Sequence, residues 1–287
     1  MPELPEVEVV KQSLEKYILN KRLSKIIVKN KKLRFSIPKN LSKNLSNLKI
    51  LNVKRVAKYV VIEFERNYFL VIHFGMSGTL HLIKNIRNSK NTNMSFYRSK
   101  NLPEKHNHIF FYFKKFSLVF NDPRRFGFIK LIKNETNLNK FYNKLGPDPF
   151  SKKFNLNYIK KYLFKTKKNI KNTLLDQKFI SGIGNIYANE ILNYSKISPF
   201  KSSHKIKDEE LQKIIYFTVK VLKNSIKRGG TTINNFISVK GNKGSYQNEF
   251  QAYDRENKNC KNRFCSGIIK KFNISNRSTY LCNLCQK

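Results

Sequence analysis

Four residues near the middle of the chain, Gly146-Pro147-Asp148-Pro149, constrain its fold more than any others. Two prolines so close together remove backbone donors and disfavour helix in the residues before them, so no regular element runs through this point. The hydrophobic pattern changes there. Before it, Ile26–Val28, Ile50–Val53, Tyr59–Phe64, Phe69–His73, Ile109–Phe113, Leu118–Phe120 and Phe128–Leu131 are short apolar or alternating runs between polar turns. Such runs predict a β-sandwich or barrel. An amphipathic helix over 5–19 precedes them, with Val7, Val10 and Leu14 at helical spacing. Beyond the breaker the period becomes helical: over 155–164, 170–177, 186–194, and from Asp208 to a stop at Gly229-Gly230. The fold class is therefore α+β, with an N-terminal β-sandwich and flanking helix followed by a helical domain. The polar stretch Lys84–Lys105 reads as a loop.

The tail carries all four cysteines, Cys260, Cys265, Cys282 and Cys285, as C-x4-C, sixteen residues, then C-x2-C. Close pairing lets two thiolates reach one ion, and four give a tetrahedral site, so the tail predicts one structural Zn²⁺. A secreted disulfide framework would spread along the chain, and no signal-like segment opens it. No apolar run reaches membrane-spanning length, so a soluble cytoplasmic protein with no membrane partner is expected. Net charge is +40, from 58 Lys+Arg against 18 Asp+Glu. That excess predicts a polyanionic partner, nucleic acid above all. Lys, Asn, Ile, Phe and Tyr are all abundant, as in AT-rich coding, so part of the lysine is expected on solvated faces.

The N-terminus adds chemistry. If Met1 is removed, Pro2 presents a secondary amine, a nucleophile that forms a cationic iminium with an aldehyde-level carbon. Glu3 stands beside it as an acid/base. The helix opening at Pro5 places its positive end near the amine, which lowers the amine pKa. Further motifs are individually modest and each also describes an ordinary turn or strand end. They are Lys58 in Arg55-Val56-Ala57-Lys58-Tyr59, the turn His73-Phe74-Gly75-Met76-Ser77-Gly78, the loop Asp122-Pro123-Arg124-Arg125-Phe126-Gly127, and Gly182-Ile183-Gly184-Asn185 before a helix.

Their order along the chain is more specific. Met1–Glu8, Ala57-Lys58-Tyr59, the Gly-Met-Ser-Gly turn, Asp122–Gly127, Gly182–Asn189 and the four-cysteine tail together resemble the bacterial formamidopyrimidine-DNA glycosylases over the whole chain. The resemblance implies excision of oxidised purines such as 8-oxoguanine and formamidopyrimidines from double-stranded DNA, then β,δ-elimination at the abasic site. It implies a sandwich domain at 1–132, a linker at 133–150, a helix–two-turn–helix domain at 151–244 and a zinc-finger hairpin at 245–287, acting as a monomer. By the same resemblance Pro2 is the nucleophile and Glu3 the acid/base. Lys58 serves β-elimination and Arg277 δ-elimination. His73, His106 and Asn185 contact DNA, and Met76, Arg124 and Phe126 fill the gap left by a flipped nucleotide.

Two departures stand out. The first cysteine pair has four intervening residues where two are usual. A lysine of the family's interdomain stretch falls on Thr166, with Lys165 and Lys167 beside it. Rival readings are an endonuclease VIII-like enzyme for oxidised pyrimidines, a non-catalytic DNA-binding protein on the same scaffold, and an RNA-binding role resting on charge alone.

Overall fold

A computed structural model describes residues 1–83, 104–231 and 244–287. The Lys84–Lys105 stretch lies outside the described residues except for its last two, and so does the first half of Gly241–Tyr246. The chain forms two compact units. One is Met1–Asn143 with Arg228–Ser245; the other is Lys144–Lys227 with Tyr246–Lys287.

The first unit opens with α1 (Leu4–Ile18) and β1 (Lys25–Val28), then α2 (Leu41–Leu45). β2 (Ile50–Val56), β3 (Tyr59–Phe64), β4 (Tyr68–His73) and β5 (Thr79–Ile83) follow, then β6 (Asn107–Tyr112), β7 (Ser117–Asn121), β8 (Phe128–Lys133) and α3 (Glu135–Tyr142). The strands build two antiparallel sheets, ordered β1-β6-β7-β5 and β2-β3-β4-β8. Alternation assigns the faces. Val60, Ile62 and Phe64 join Leu70, Ile72, Leu80, Leu82, Phe111 and Leu118 in one core, closed by Val7, Val10, Leu14 and Ile18 of α1. The intervening Val61, with Phe69 and Val71, points the other way onto Leu138 of α3. Covered on both faces, β3 and β4 read as continuous apolar runs rather than alternating ones.

The sequence pattern located α1 and seven strands. It did not single out α2, β5 or α3. α3 begins where the Asn134 side chain accepts the Asn137 N–H at 2.9 Å, an N-cap bond.

The second unit holds α4 (Leu156–Phe164), α5 (Ile170–Leu175), α6 (Asn185–Ser195), α7 (Asp208–Lys227) and the hairpin β9 (Ile269–Ile274)–β10 (Arg277–Cys282). Asn155 and Asn169 cap α4 and α5 as Asn134 caps α3. The α5–α6 turn is laced by Gln177, which accepts from Gly182 N–H and donates to the Ile183 carbonyl, both at 2.8 Å. Gly182 takes φ +94°, a value few other residues adopt.

Candidate active site

In the first unit the N-terminal amine, Glu3, Lys58 and the 122–127 loop belong to one electrostatic environment. Glu3 caps α1 and is 3% exposed. The Glu6 carboxylate accepts the Glu3 N–H at 3.0 Å through one oxygen. Its other oxygen accepts from Thr231, at 2.9 Å from the backbone N–H and 3.1 Å from the hydroxyl. Glu6 thus fixes the first residues to the segment that returns after α7. The amine at Met1 is held below its ordinary value, first by burial; Lys58 and Arg124 act in the same direction, while Glu3 and Glu6 oppose them. Pro2 is half-buried.

Lys58 sits in the two-residue turn between β2 and β3, where Val56 faces Tyr59. Its neighbour Ala57 adopts φ +51°, and the lysine is only 7% exposed. Arg55 bonds the Ala57 carbonyl at 3.2 Å and the Glu8 carboxylate at 2.8 Å.

His73 ends β4 against Tyr59 and stacks on Phe128 at 5.2 Å. Its Nδ1 accepts the Gly75 N–H at 3.1 Å, which leaves the proton on Nε2. Burial, with Lys58 and Arg34 adding to it, pulls its pKa down to about 4. His73 is therefore a neutral donor at physiological pH. Between its ordinary value and about 4, the unfolded chain binds a proton that the folded unit refuses. The first unit should then lose stability as pH falls through that window. Urea midpoints at pH 7 and pH 5 should differ more for the parent than for His73→Asn; equal differences would contradict the assignment.

Met76, Arg124 and Phe126 come from two turns that are bonded to each other. The Ser77 hydroxyl donates to Asp122 and accepts the Arg124 N–H at 3.1 Å. The other Asp122 oxygen accepts the Gly127 N–H at 2.7 Å. Gly75, at φ +59°, lies so close that a Cβ there would collide with the Phe126 backbone. Met76 and Phe126 are nevertheless about half exposed, at 49% and 44%, so the scaffold is buried and the tips are presented. Arg124 lies over the Phe126 ring at 4.7 Å. The His106 carbonyl accepts the Asp122 N–H at 3.0 Å, which joins His106 to the same loop.

In the second unit, Asn185 and Arg277 are brought together. The Ser278 carbonyl, next to Arg277, accepts from Asn185 Nδ2 at 3.0 Å and from Lys171 Nζ at 2.9 Å. Lys171 also donates to Thr279 Oγ1 at 2.6 Å. The Asn185 side-chain oxygen is buried with no partner among the described residues. Burial and Arg277 lower the Lys171 pKa to about 8. Sequence reading missed this lysine and looked at Thr166, whose hydroxyl instead closes onto the Tyr162 carbonyl, while Lys165 and Lys167 are exposed. Glu190 was missed too. It is fully buried in α6 and accepts three consecutive N–H groups, Gln251, Ala252 and Tyr253, at 2.8–3.0 Å.

The four cysteine sulfurs lie within 4.8 Å of one another. Cys260 and Cys285 are 3.8 Å apart, and Cys265 and Cys282 are 3.5 Å apart. Four sulfurs tetrahedrally bound at ~2.3 Å would be separated by about 3.8 Å, so the donor set fits a divalent metal ion. Asn262 N–H and Gly267 N–H each point to a sulfur at 3.4 Å, and Asn262 Nδ2 to Cys285 at 3.2 Å. The longer C-x4-C loop spends its extra residues outward: Phe264 is 93% exposed at φ +61°, under the Arg263 guanidinium.

A family model described as the formamidopyrimidine-DNA glycosylase N-terminal domain matches residues 1–129, and one described as the H2TH domain of that enzyme matches 145–237. Proteins named formamidopyrimidine-DNA glycosylase from Wolbachia pipientis subsp. Culex pipiens and from Rickettsia africae are each 37% identical over 287 residues. All of this chain is covered, and 100% and 99% of theirs. Among solved structures, a Lactococcus lactis FPG mutant in complex with Fapy-dG-containing DNA is similar at TM-score 0.88 and 30% identity, with 100% of both chains covered. The Lactococcus lactis enzyme with abasic-site DNA gives 0.87 at 30% identity, with 99% of both covered.

Proposed function

Because the chain belongs to the formamidopyrimidine-DNA glycosylase family, a bifunctional DNA-repair family, we propose that Pro2, Glu3, Lys58 and Arg277 carry its two chemical steps. The chain is a base-excision repair glycosylase for oxidised purines and a lyase at the resulting abasic site. The observation that carries the assignment of residues is the convergence on the start of the chain of buried Glu3, buried Lys58 and Arg124, all of which act on the Met1 amine one residue before the Pro2 nitrogen. After removal of Met1, the Pro2 nitrogen attacks C1′ of the lesion nucleotide as the bond to the base breaks; the nitrogen then gives up its proton and the C1′–O4′ bond opens, with Glu3 returning a proton to O4′. The iminium so formed withdraws electrons from the sugar and acidifies its C2′ proton. Loss of that proton expels the 3′ phosphate, and a second elimination expels the 5′ phosphate.

C1′ is inaccessible inside a duplex, so the nucleotide must be everted. Met76, Phe126 and Arg124 fill the space left in the stack, on turns braced by Asp122 and Ser77. His73 is suited to donate to a phosphate without carrying charge. Asn185, Lys171 and Arg277 form a basic cluster suited to phosphates beside the lesion. Cys260, Cys265, Cys282 and Cys285 hold one Zn²⁺, which cross-links the base of the hairpin and takes no part in the chemistry. Among the described residues no helix is long and apolar enough to cross a membrane. The enzyme acts in the cytoplasm on chromosomal DNA, as a monomer.

The purified protein mixed with a duplex carrying 8-oxoguanine opposite cytosine and then borohydride should yield a covalent adduct on Pro2. An adduct formed only with oxidised pyrimidines would favour the endonuclease VIII-like reading. No adduct with lesion or abasic DNA, from a chain verified to begin at Pro2, would refute the amine as nucleophile.

A further inference from the structure

Lys58 lies on a hairpin turn, yet its task in the reading above demands a fixed place beside the amine. Two-residue turns at strand ends are among the looser parts of a sheet, and a lysine has four rotatable bonds. Something must hold the turn to the element that carries the amine. Beside the apolar packing of α1 on β2 and β3, one contact that does so is ionic. Glu8 projects from α1, five residues beyond Glu3, and Arg55 from β2, three residues before Lys58. Their side chains meet at 2.8 Å and are only 18% and 7% exposed. The same guanidinium bonds the carbonyl of Ala57, the residue in left-handed conformation that forms the turn.

We propose that the Glu8–Arg55 pair is a positioning device that sets Lys58 against the N-terminal amine and so governs the elimination step. The inference rests on Lys58 acting in that step. For stability alone, such a pair is a poor choice. The desolvation of two charges offsets most of their attraction, and apolar side chains of similar volume often serve as well. A buried pair does, however, accept only one geometry, which an apolar contact would not enforce. One guanidinium here spans helix, strand and turn at once. The charges on α1, on the turn and on the Arg124 loop all act on the amine: Glu3 and Glu6 raise its pKa, and Lys58 and Arg124 lower it. A shift of Lys58 would therefore alter proton transfer in the elimination step.

The test uses the full chain with Arg55→Ala, Arg55→Lys, Glu8→Ala and the Glu8→Ala/Arg55→Ala double variant, and Lys58→Ala as reference. Single-turnover rates are measured on a preformed abasic duplex and on an 8-oxoguanine duplex, together with duplex affinity and melting temperature. Each alanine variant should slow elimination on the abasic duplex by about tenfold or more, the scale of loss seen when a reacting group is misplaced by an ångström. Base excision and affinity should change less. The double variant should be no slower than the worse single, because the pair acts as a unit. Arg55→Lys should be intermediate: it restores the charge but not the second bond. A purely structural role would lower excision, elimination and melting together without rescue by lysine, and would overturn the proposal. Parental elimination rates in both single variants with a slow Lys58→Ala would overturn the pair alone. A parental rate for Lys58→Ala would overturn the role of Lys58 and the pair with it.

Discussion

Replacing Pro2 with glycine should cut base excision by about three orders of magnitude, roughly 4 kcal/mol of barrier, and leave duplex binding and melting unchanged. A secondary amine can only form an iminium, which keeps its positive charge; the iminium of a primary amine can lose its N–H proton and with it most of its electron demand. Pro2 precedes α1 and is half-buried, whereas the cap of that helix is made by Glu3 and Glu6. The substitution therefore exchanges the secondary amine for a primary one without touching the core. Mass spectrometry must first establish that both parent and variant have lost Met1. Retained excision in a processed Pro2→Gly chain would falsify the proposed nucleophile. Lost excision with lost duplex binding would indicate a damaged surface instead.

Stripping the metal should be the second large effect. Burial pushes the Cys260 and Cys285 thiols up, so those two favour the thiolate form only with a cation beside them. Structural zinc in small fingers contributes on the order of 10 kcal/mol, more than this tail can recover from Ile269, Tyr280 and Ala252 alone. Removal with a strong chelator, or Cys282→Ser, should release the hairpin that carries Arg277. Affinity for lesion duplex should fall by at least about a hundredfold, and its dependence on salt should flatten, because fewer phosphates are then neutralised. The sheets of the first unit should keep their own unfolding transition. One equivalent of zinc in the purified chain, removed in step with binding, is the expected result. Unchanged binding in a metal-free chain would remove zinc from the account.

Much of this is legible in the amino-acid sequence. Strands and helices announced themselves where one face was apolar, as in α1, or where both faces were, as in β3. The cysteine spacing led directly to a sulfur cluster. The elements that escaped share a physical cause. α3 is short and amphiphilic, and its cap is an asparagine among many asparagines. β5 reads Thr-Leu-His-Leu-Ile, with buried Thr79 and His81 bonded to each other at 2.7 Å. Polar residues that satisfy one another inside a core look like surface residues in a sequence. The same holds for Glu6, Lys171 and Glu190. Each is buried, and each is defined by partners 60 to 225 residues away that no local pattern discloses. Lys171, five positions beyond Thr166, is disclosed only by its bonds to the hairpin.

The bond from Glu6 to Thr231 has a consequence for biosynthesis. The first unit is completed by Arg228–Ser245, which leave the ribosome after nearly all of the helices. At roughly 5–20 residues per second, the growing chain spends on the order of 10–50 s with Glu6 made and Thr231 not yet made. Throughout that interval the leading residues lack their final clamp. The processing that the proposed role of Pro2 requires has its widest opening then, so the end of the chain assigned to the chemistry is the first part synthesised and among the last to be locked in place.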